Sequence, residues 1–169
     1  MRNYSLKTSQ FFELEQNVVF DFFSKPENLE KITPPNLKFK ITTPSPINMK
    51  KGQLIDYKIK ISYIPVNWKT LISSYNPPYN FIDTQLRGPY SVWVHSHEFK
   101  YEKGITSVID TVTYRPPLYF IGDIANKIYI RSMLKNIFNY RFNKIAEIFK
   151  EKYPNSNIQD SNFLIQFSR

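Results

Sequence analysis

Gln85-Leu86-Arg87-Gly88-Pro89-Tyr90-Ser91-Val92-Trp93-Val94-His95-Ser96-His97-Glu98-Phe99 is the stretch around which the rest of the chain is organised. Arg87-Gly88-Pro89-Tyr90 reads as a tight turn, because glycine reaches positive φ freely and proline offers no backbone donor. The residues after it alternate with period two, the pattern of a half-buried strand. Trp93, His95, His97 and Phe99 share one face; Val92, Val94, Ser96 and Glu98 share the other. Both histidines of the chain lie on the aromatic face. Turning that face outward would leave Trp93 and Phe99 in water, so it is expected to point inward.

The same alternation extends on both sides. It predicts strands over about 3–13, 38–43, 53–63, 66–75, 81–86, 90–101 and 105–114. In the third of these, Ile55, Tyr57, Ile59, Ile61 and Tyr63 share a face opposite Asp56, Lys58, Lys60 and Ser62. Residues 15–24 switch to a helical pattern, and Pro26 opens a second short helix that Thr33-Pro34-Pro35 ends. The four glycines, Gly52, Gly88, Gly104 and Gly122, are read as falling between elements. From Gly122 to Tyr153 no proline intervenes, and the chain reads as one helix of roughly 45 Å at ~1.5 Å per residue.

That helix carries an apolar stripe: Ile124, Ile128, Leu134, Phe138, Phe142, Ile145, Ala146 and Phe149. Lys127, Arg131 and Lys135 fall inside or beside it. A buried cation needs a partner. Arg131, with Lys135 near it, is therefore expected to face the interior and pair with Asp83, Asp110 or an anionic ligand group. The competing reading has the stems covering apolar surface while the charges reach water. The order of elements implies an α+β fold: a curved antiparallel sheet of about seven strands wrapped around a long C-terminal helix, with two short helices after the first strand. Residues 1–153 form the domain, and 154–169 read as a loose polar tail.

Composition narrows the class. At 169 residues, 41% hydrophobic and 17% aromatic, the chain supports one packed domain and argues against disorder. With no cysteine there is no disulfide or thiol nucleophile, which fits a reducing, cytoplasmic compartment. No apolar run approaches the ~20 residues of a membrane-crossing helix, no signal peptide is read at the start, and a monomer is expected. The net charge of +9 fits a solvated basic surface; the alternative is an anionic partner, a nucleic acid, ribosome or membrane.

The residues just described resemble the START-like (SRPBCC, polyketide-cyclase-like) superfamily. The resemblance is to a bacterial subgroup of small ligand-binding members in particular. It rests on Phe81-x-Asp83-x-Gln85, the Gly88-Pro89-Tyr90 turn, Trp93-x-His95-x-His97-x-Phe99 and Asp110-x-Val112-x-Tyr114. Pro26-Glu27-Asn28-Leu29 and Phe138-x-Tyr140-Arg141 add to it. It implies a helix-grip fold over nearly the whole chain, up to about Tyr153. It does not imply a reaction, because carriers, cyclases and regulators share that fold.

Candidate site residues follow from the faces. If the histidine face is inward, its neighbours bring Asp83, Gln85 and Asp110 inward too. Tyr57, Trp68, Trp93, Phe99 and Tyr114 would form an aromatic wall, and Asp83, Gln85, His95, His97, Asp110 and Arg131 the polar groups or their supports. Three chemistries compete. His95 and His97 with Asp83 or Asp110 could ligate a metal, but no cysteine or third histidine completes the set, and no metal or cofactor is expected. The same groups could move protons, as in a cyclase or isomerase. The leading expectation is binding without turnover of a hydrophobic or amphipathic molecule such as a lipid, isoprenoid, quinone or polyketide. An RNA- or ribosome-associated role is the remaining reading, though the basic residues are scattered and form no RNA-binding motif.

Overall fold

Every stretch with period-two patterning is a strand in the computed structural model, which describes residues 2–156, 158–159 and 165–168. β1 (Tyr4–Phe12) is followed by α1 (Gln16–Phe23), α2 (Asn28–Lys31) and a single 3-10 turn (Pro35–Leu37). Then come β2 (Lys40–Ile41), β3 (Leu54–Ile61), β4 (Ile64–Asn76), β5 (Asn80–Arg87), β6 (Val92–Glu102) and β7 (Ile105–Arg115). All pairings are antiparallel, in the order β2-β3-β4-β5-β6-β7-β1. Bulges between β4 and β5, at Lys69/Thr70 and Ile72/Ser74, help to bend the sheet. The sheet stays open at β2, and its concave face holds the helix.

Two short strands extend the β1 edge: β8 (Ile158–Gln159) and β9 (Gln166–Ser168) both pair with β1. They belong to the segment expected as a loose tail, whose remaining residues after Ser156 lie largely outside the described ones. Tyr63 departs from its expected place on the inner face. Ser62 and Tyr63 both have positive φ, 49° and 69°, and make the two-residue turn of the β3–β4 hairpin, leaving Tyr63 94% exposed.

The long helix is α3 (Tyr119–Ala125), a π-helical turn (Asn126–Ile130) and α4 (Arg131–Lys152) in one run. Gly122 lies inside it rather than between elements. A Cβ there would sit 2.2 Å from the Pro117 carbonyl oxygen, so only glycine lets the first turn close over Pro116-Pro117. The π turn explains a second departure. A π turn holds one residue more than an α turn, so the faces before it are rotated by about one position, near 100°. Beyond the turn the expected stripe holds: Leu134, Phe138, Phe142, Ile145, Ala146 and Phe149 are buried. Before and within it, Ile124 and Ile128 are exposed by 53% and 76%, and Gly122 and Asn126 turn inward instead.

Two clusters fill the space between sheet and helix. One is built on phenylalanine, from Phe12, Phe20, Phe81, Phe99 and Phe149, and is closed by α1. The other is built on Tyr4, Trp68, Tyr90, Tyr114, Leu134 and Phe138. Phe99 belongs to the first, with its ring 5.0 Å from Phe20 and 5.6 Å from Phe23. Tyr114 belongs to the second. Among the described residues no helix is long and apolar enough to cross a membrane.

Candidate functional site

Register on three adjacent strands assembles the polar site. In β6, His95 stands opposite Asp83 of β5, and His97 stands opposite Asp110 of β7. Residues directly opposite on an antiparallel pair share a face, so two imidazoles and two carboxylates converge. The imidazoles are 3.8 Å apart between ring centres. His97 Nε2 lies 3.1 Å from Asp83 Oδ2, and His97 Nδ1 lies 2.6 Å from Asp110 Oδ1. His95 Nδ1 and Nε2 lie 3.6 Å and 3.4 Å from the same two carboxylates. The contact between His97 Nε2 and Asp83 Oδ2 is a hydrogen bond. The Asp110 contacts are poorly aligned and act through charge, leaving His95 Nε2, His97 Nδ1 and Asp110 Oδ1 without a hydrogen bond.

Burial decides how the cluster is charged. Desolvation alone would discharge both histidines. At His97 that penalty is outweighed by Asp110 and Asp83, and its pKa is raised to about 9. At His95, burial and the neighbouring His97 charge prevail and the pKa is lowered. Asp110 is held well below the usual carboxylate range by His97 and His95, against the cost of its own burial. At neutral pH the pair therefore holds one imidazolium, one neutral imidazole and an ionised Asp110.

A third charge comes from α4. Arg141 reaches the same interior, its guanidinium 5.2 Å above the centre of the Phe138 ring. Burial pushes its pKa down, and the fields of Asp110 and Asp83 push back. Among the described residues Arg141 makes no ion pair within 4 Å, and its buried Nε has no hydrogen-bond partner. Arg131 goes elsewhere: its guanidinium lies 5.7 Å from the Tyr4 ring centre and 5.4 Å from that of Phe167, near the Tyr114 hydroxyl. No contact of Arg131 with Asp83 or Asp110 is present, and Lys135 is exposed.

These groups close one end of a cavity between the sheet and α4. The space open to the centre of a water molecule is about 140 Å³. One water needs roughly 10–15 Å³ of such space, so the cavity has room for an organic molecule. Its lining is largely apolar, from Ile55, Ile59, Trp68, Ile72, Leu134 and Phe138 among others, and α2 with Leu37, Phe39 and Met49 covers one side. Of the expected residues, Tyr57, Trp68, Asp83, Trp93, His95 and His97 line it, whereas Gln85, Phe99, Asp110, Tyr114 and Arg131 do not. Asp110 stands behind the histidines. Gln85 supports the wall: its Nε2 donates to the Tyr90 carbonyl at 2.7 Å, and its Oε1 accepts from the Tyr90 N–H at 3.4 Å. It thereby folds over Gly88, where a Cβ would lie 2.3 Å from Gln85 Oε1, and fixes Tyr90 against the cavity.

Asp83, His95 and His97 each offer one ligand atom within 4.8 Å of the others, which is the spacing a metal would need. A cation there would have to displace the proton that His97 holds up to about pH 9 and compete with Arg141 for the carboxylates.

Several solved structures share the arrangement of an open antiparallel sheet gripping one long helix. The chain has the helix-grip fold. The Zhui aromatase/cyclase from Streptomyces sp. R1128 superposes with a TM-score of 0.70 at 10% identity, over 91% of this chain and 99% of that one. Protein Ms6760 from Mycobacterium smegmatis gives 0.65 at 14% identity, over 88% and 92%. Ginseng major latex-like protein 151 from Panax ginseng gives 0.62 at 13% identity, over 85% and 95%. No protein-family model matches the sequence, and no curated protein does. At these identities the helix-grip likeness speaks for the fold, and the chemistry rests on this chain's own residues.

Arg141 is the site residue that sequence reasoning passed over. It was visible as part of Phe138-x-Tyr140-Arg141, and Leu134, Phe138, Arg141, Ile145 and Phe149 recur at helical spacing. A cation in the middle of that row is the signal.

Proposed function

We propose that the protein binds a hydrophobic or amphipathic small molecule in the cavity between its sheet and α4, and does not turn it over. The observation that carries this reading is the pairing of an apolar and aromatic wall with one charged end at which a guanidinium has donors to spare. Arginine donates and never accepts. The polar end of the ligand is therefore an acceptor: a carboxylate, or the carbonyl of a quinone or polyketide. The rest of the molecule is apolar enough to leave water for Trp68, Ile59 and Leu134.

Binding is favoured over catalysis by what the imidazoles face. Each ring nitrogen of His95 and His97 already faces a carboxylate within 3.6 Å or less. Those carboxylates direct the ring protons into the cluster rather than towards a substrate. The opposite protonation of the two rings supports the second reading, an acid–base cyclase or isomerase, in which His97 gives a proton and His95 takes one.

The test is mass spectrometry of freshly purified protein, native and after denaturation with solvent extraction. A stoichiometric molecule with an apolar body and an acceptor group is the expected result. Met133→Trp, which fills the cavity from α4, should abolish its retention, and Arg141→Met should weaken it at least tenfold. Retention untouched by both changes would overturn the reading.

A further inference from the structure

Apolar side chains gather on the outside of this protein at one end. Among the described residues twelve large apolar side chains are exposed, and eight of them belong to just two segments, the β3–β4 hairpin tip and residues 118–129. Phe120, Ile121, Ile124 and Ile128 are exposed by 71%, 54%, 53% and 76%, at the spacing of a single helix face. Tyr63 and Ile64, exposed by 94% and 65%, form the hairpin tip. The two segments touch, because the Ser62 hydroxyl is hydrogen-bonded to the Tyr129 hydroxyl. An exposed cluster of this kind marks an interaction site, since scattered single side chains would need no explanation.

The charges around the cluster are predominantly positive. Between Tyr57 and Ile82 the sequence has no Asp or Glu, and the hairpin carries Lys58 and Lys60. Between Arg115 and Ala146 it has a single carboxylate, Asp123, whose Oδ1 accepts the hydrogen bond of Tyr4. Lys127 stands exposed on the same helix. The π turn is what puts the isoleucines outside: without it Ile124 and Ile128 would continue the buried stripe.

We infer that this end of the molecule docks on a lipid bilayer bearing anionic headgroups. Phe120, Ile124, Ile128 and the hairpin tip enter the headgroup–acyl boundary, and Lys58, Lys60 and Lys127 lie against the phosphates. A second copy of the chain fits less well. A two-fold interface brings a patch against itself, so the lysines would meet lysines.

The test is co-sedimentation with vesicles of phosphatidylcholine alone and with a quarter phosphatidylglycerol added. The wild type should bind the anionic vesicles preferentially and release them in high salt. Phe120→Ser/Ile124→Ser/Ile128→Ser should weaken binding at least tenfold with an unchanged unfolding midpoint. Lys58→Gln/Lys60→Gln/Lys127→Gln should weaken it about fivefold for each lysine removed. Equal affinity for both kinds of vesicle, or none for either, would overturn the inference. So would a wild-type dimer in solution that the serine variant abolishes, which would assign the patch to a second copy. None of these readouts depends on what the cavity holds.

Discussion

Two regions of this molecule reverse the usual distribution of side chains, and they do so in opposite ways. At the centre of the sheet, two carboxylates, two imidazoles and a guanidinium lie inside. At the start of the long helix, a row of isoleucines and a phenylalanine lies outside. The phenylalanine cluster between α1 and the end of α4, by contrast, is conventional core. The central reversal is compensated: the opposite charges of Asp83, Asp110, His97 and Arg141 sum to zero. Among the described residues nothing compensates the outer reversal. A buried polar set whose charges balance can be kept for binding or for fold specificity. An apolar surface that nothing covers points to a partner.

The sharpest way to break the comparison is Asp110→Ala. If the central cluster is a compensated unit, the loss of Asp110 leaves Asp83 alone against His97 and Arg141, so that one buried positive charge is uncompensated, and costs about 3–5 kcal/mol. Chemical denaturation at neutral pH measures it, and a loss below about 1 kcal/mol would mean that the charges are hydrated rather than paired.

The pH profile comes next in size. His97 has a raised pKa, so its contribution is complete below 6.5 and fades as pH rises towards about 9. That shift corresponds to a loss on the order of 3 kcal/mol. Asp110 has a lowered pKa, so its contribution is present above 3.8 and lost as pH falls below that value. His95 is also lowered, so stability declines as pH drops below 6.5, where only the unfolded chain takes up the proton. Unfolding curves from pH 4 to 10 should form a dome, and His97→Asn should flatten its alkaline side. An alkaline limb unchanged in that variant would assign it to another group.

The smallest effect concerns the outer region. Phe120→Ser, Ile124→Ser and Ile128→Ser should each change stability by no more than about 0.5 kcal/mol, because no packing is lost. A cost of about 2 kcal/mol for any of them would show that the side chain is covered in solution.

Strands were legible in the sequence because one face of each is buried, and a period of two leaves no ambiguity about which residues share it. His95, His97, Asp83 and Asp110 were placed together on that basis alone. The helix was legible in its second half for the same reason. Its first half was not, because a π turn leaves no mark in composition and rotates everything before it. That rotation put Ile124 and Ile128 on the wrong face of the sequence reading. Residues 28–49 contribute Leu29, Leu37, Phe39 and Met49 to the cavity through an irregular path with little periodicity to read. The depth at which Asp110 stands behind the histidines depends on the curvature of the sheet, which the bulges at Lys69/Thr70 and Ile72/Ser74 help to set.

The π turn makes chain length itself a determinant of what this protein shows to its surroundings. Removing one residue between Asn126 and Ile130 would restore an uninterrupted α-helix and turn its first two turns by a quarter of a circle or more. The isoleucines would close over the sheet, Asn126 would surface, and the basic end of the molecule would lose its greasy edge. A one-codon deletion there would act as a change of address, converting a protein built to rest on something into one built to float free.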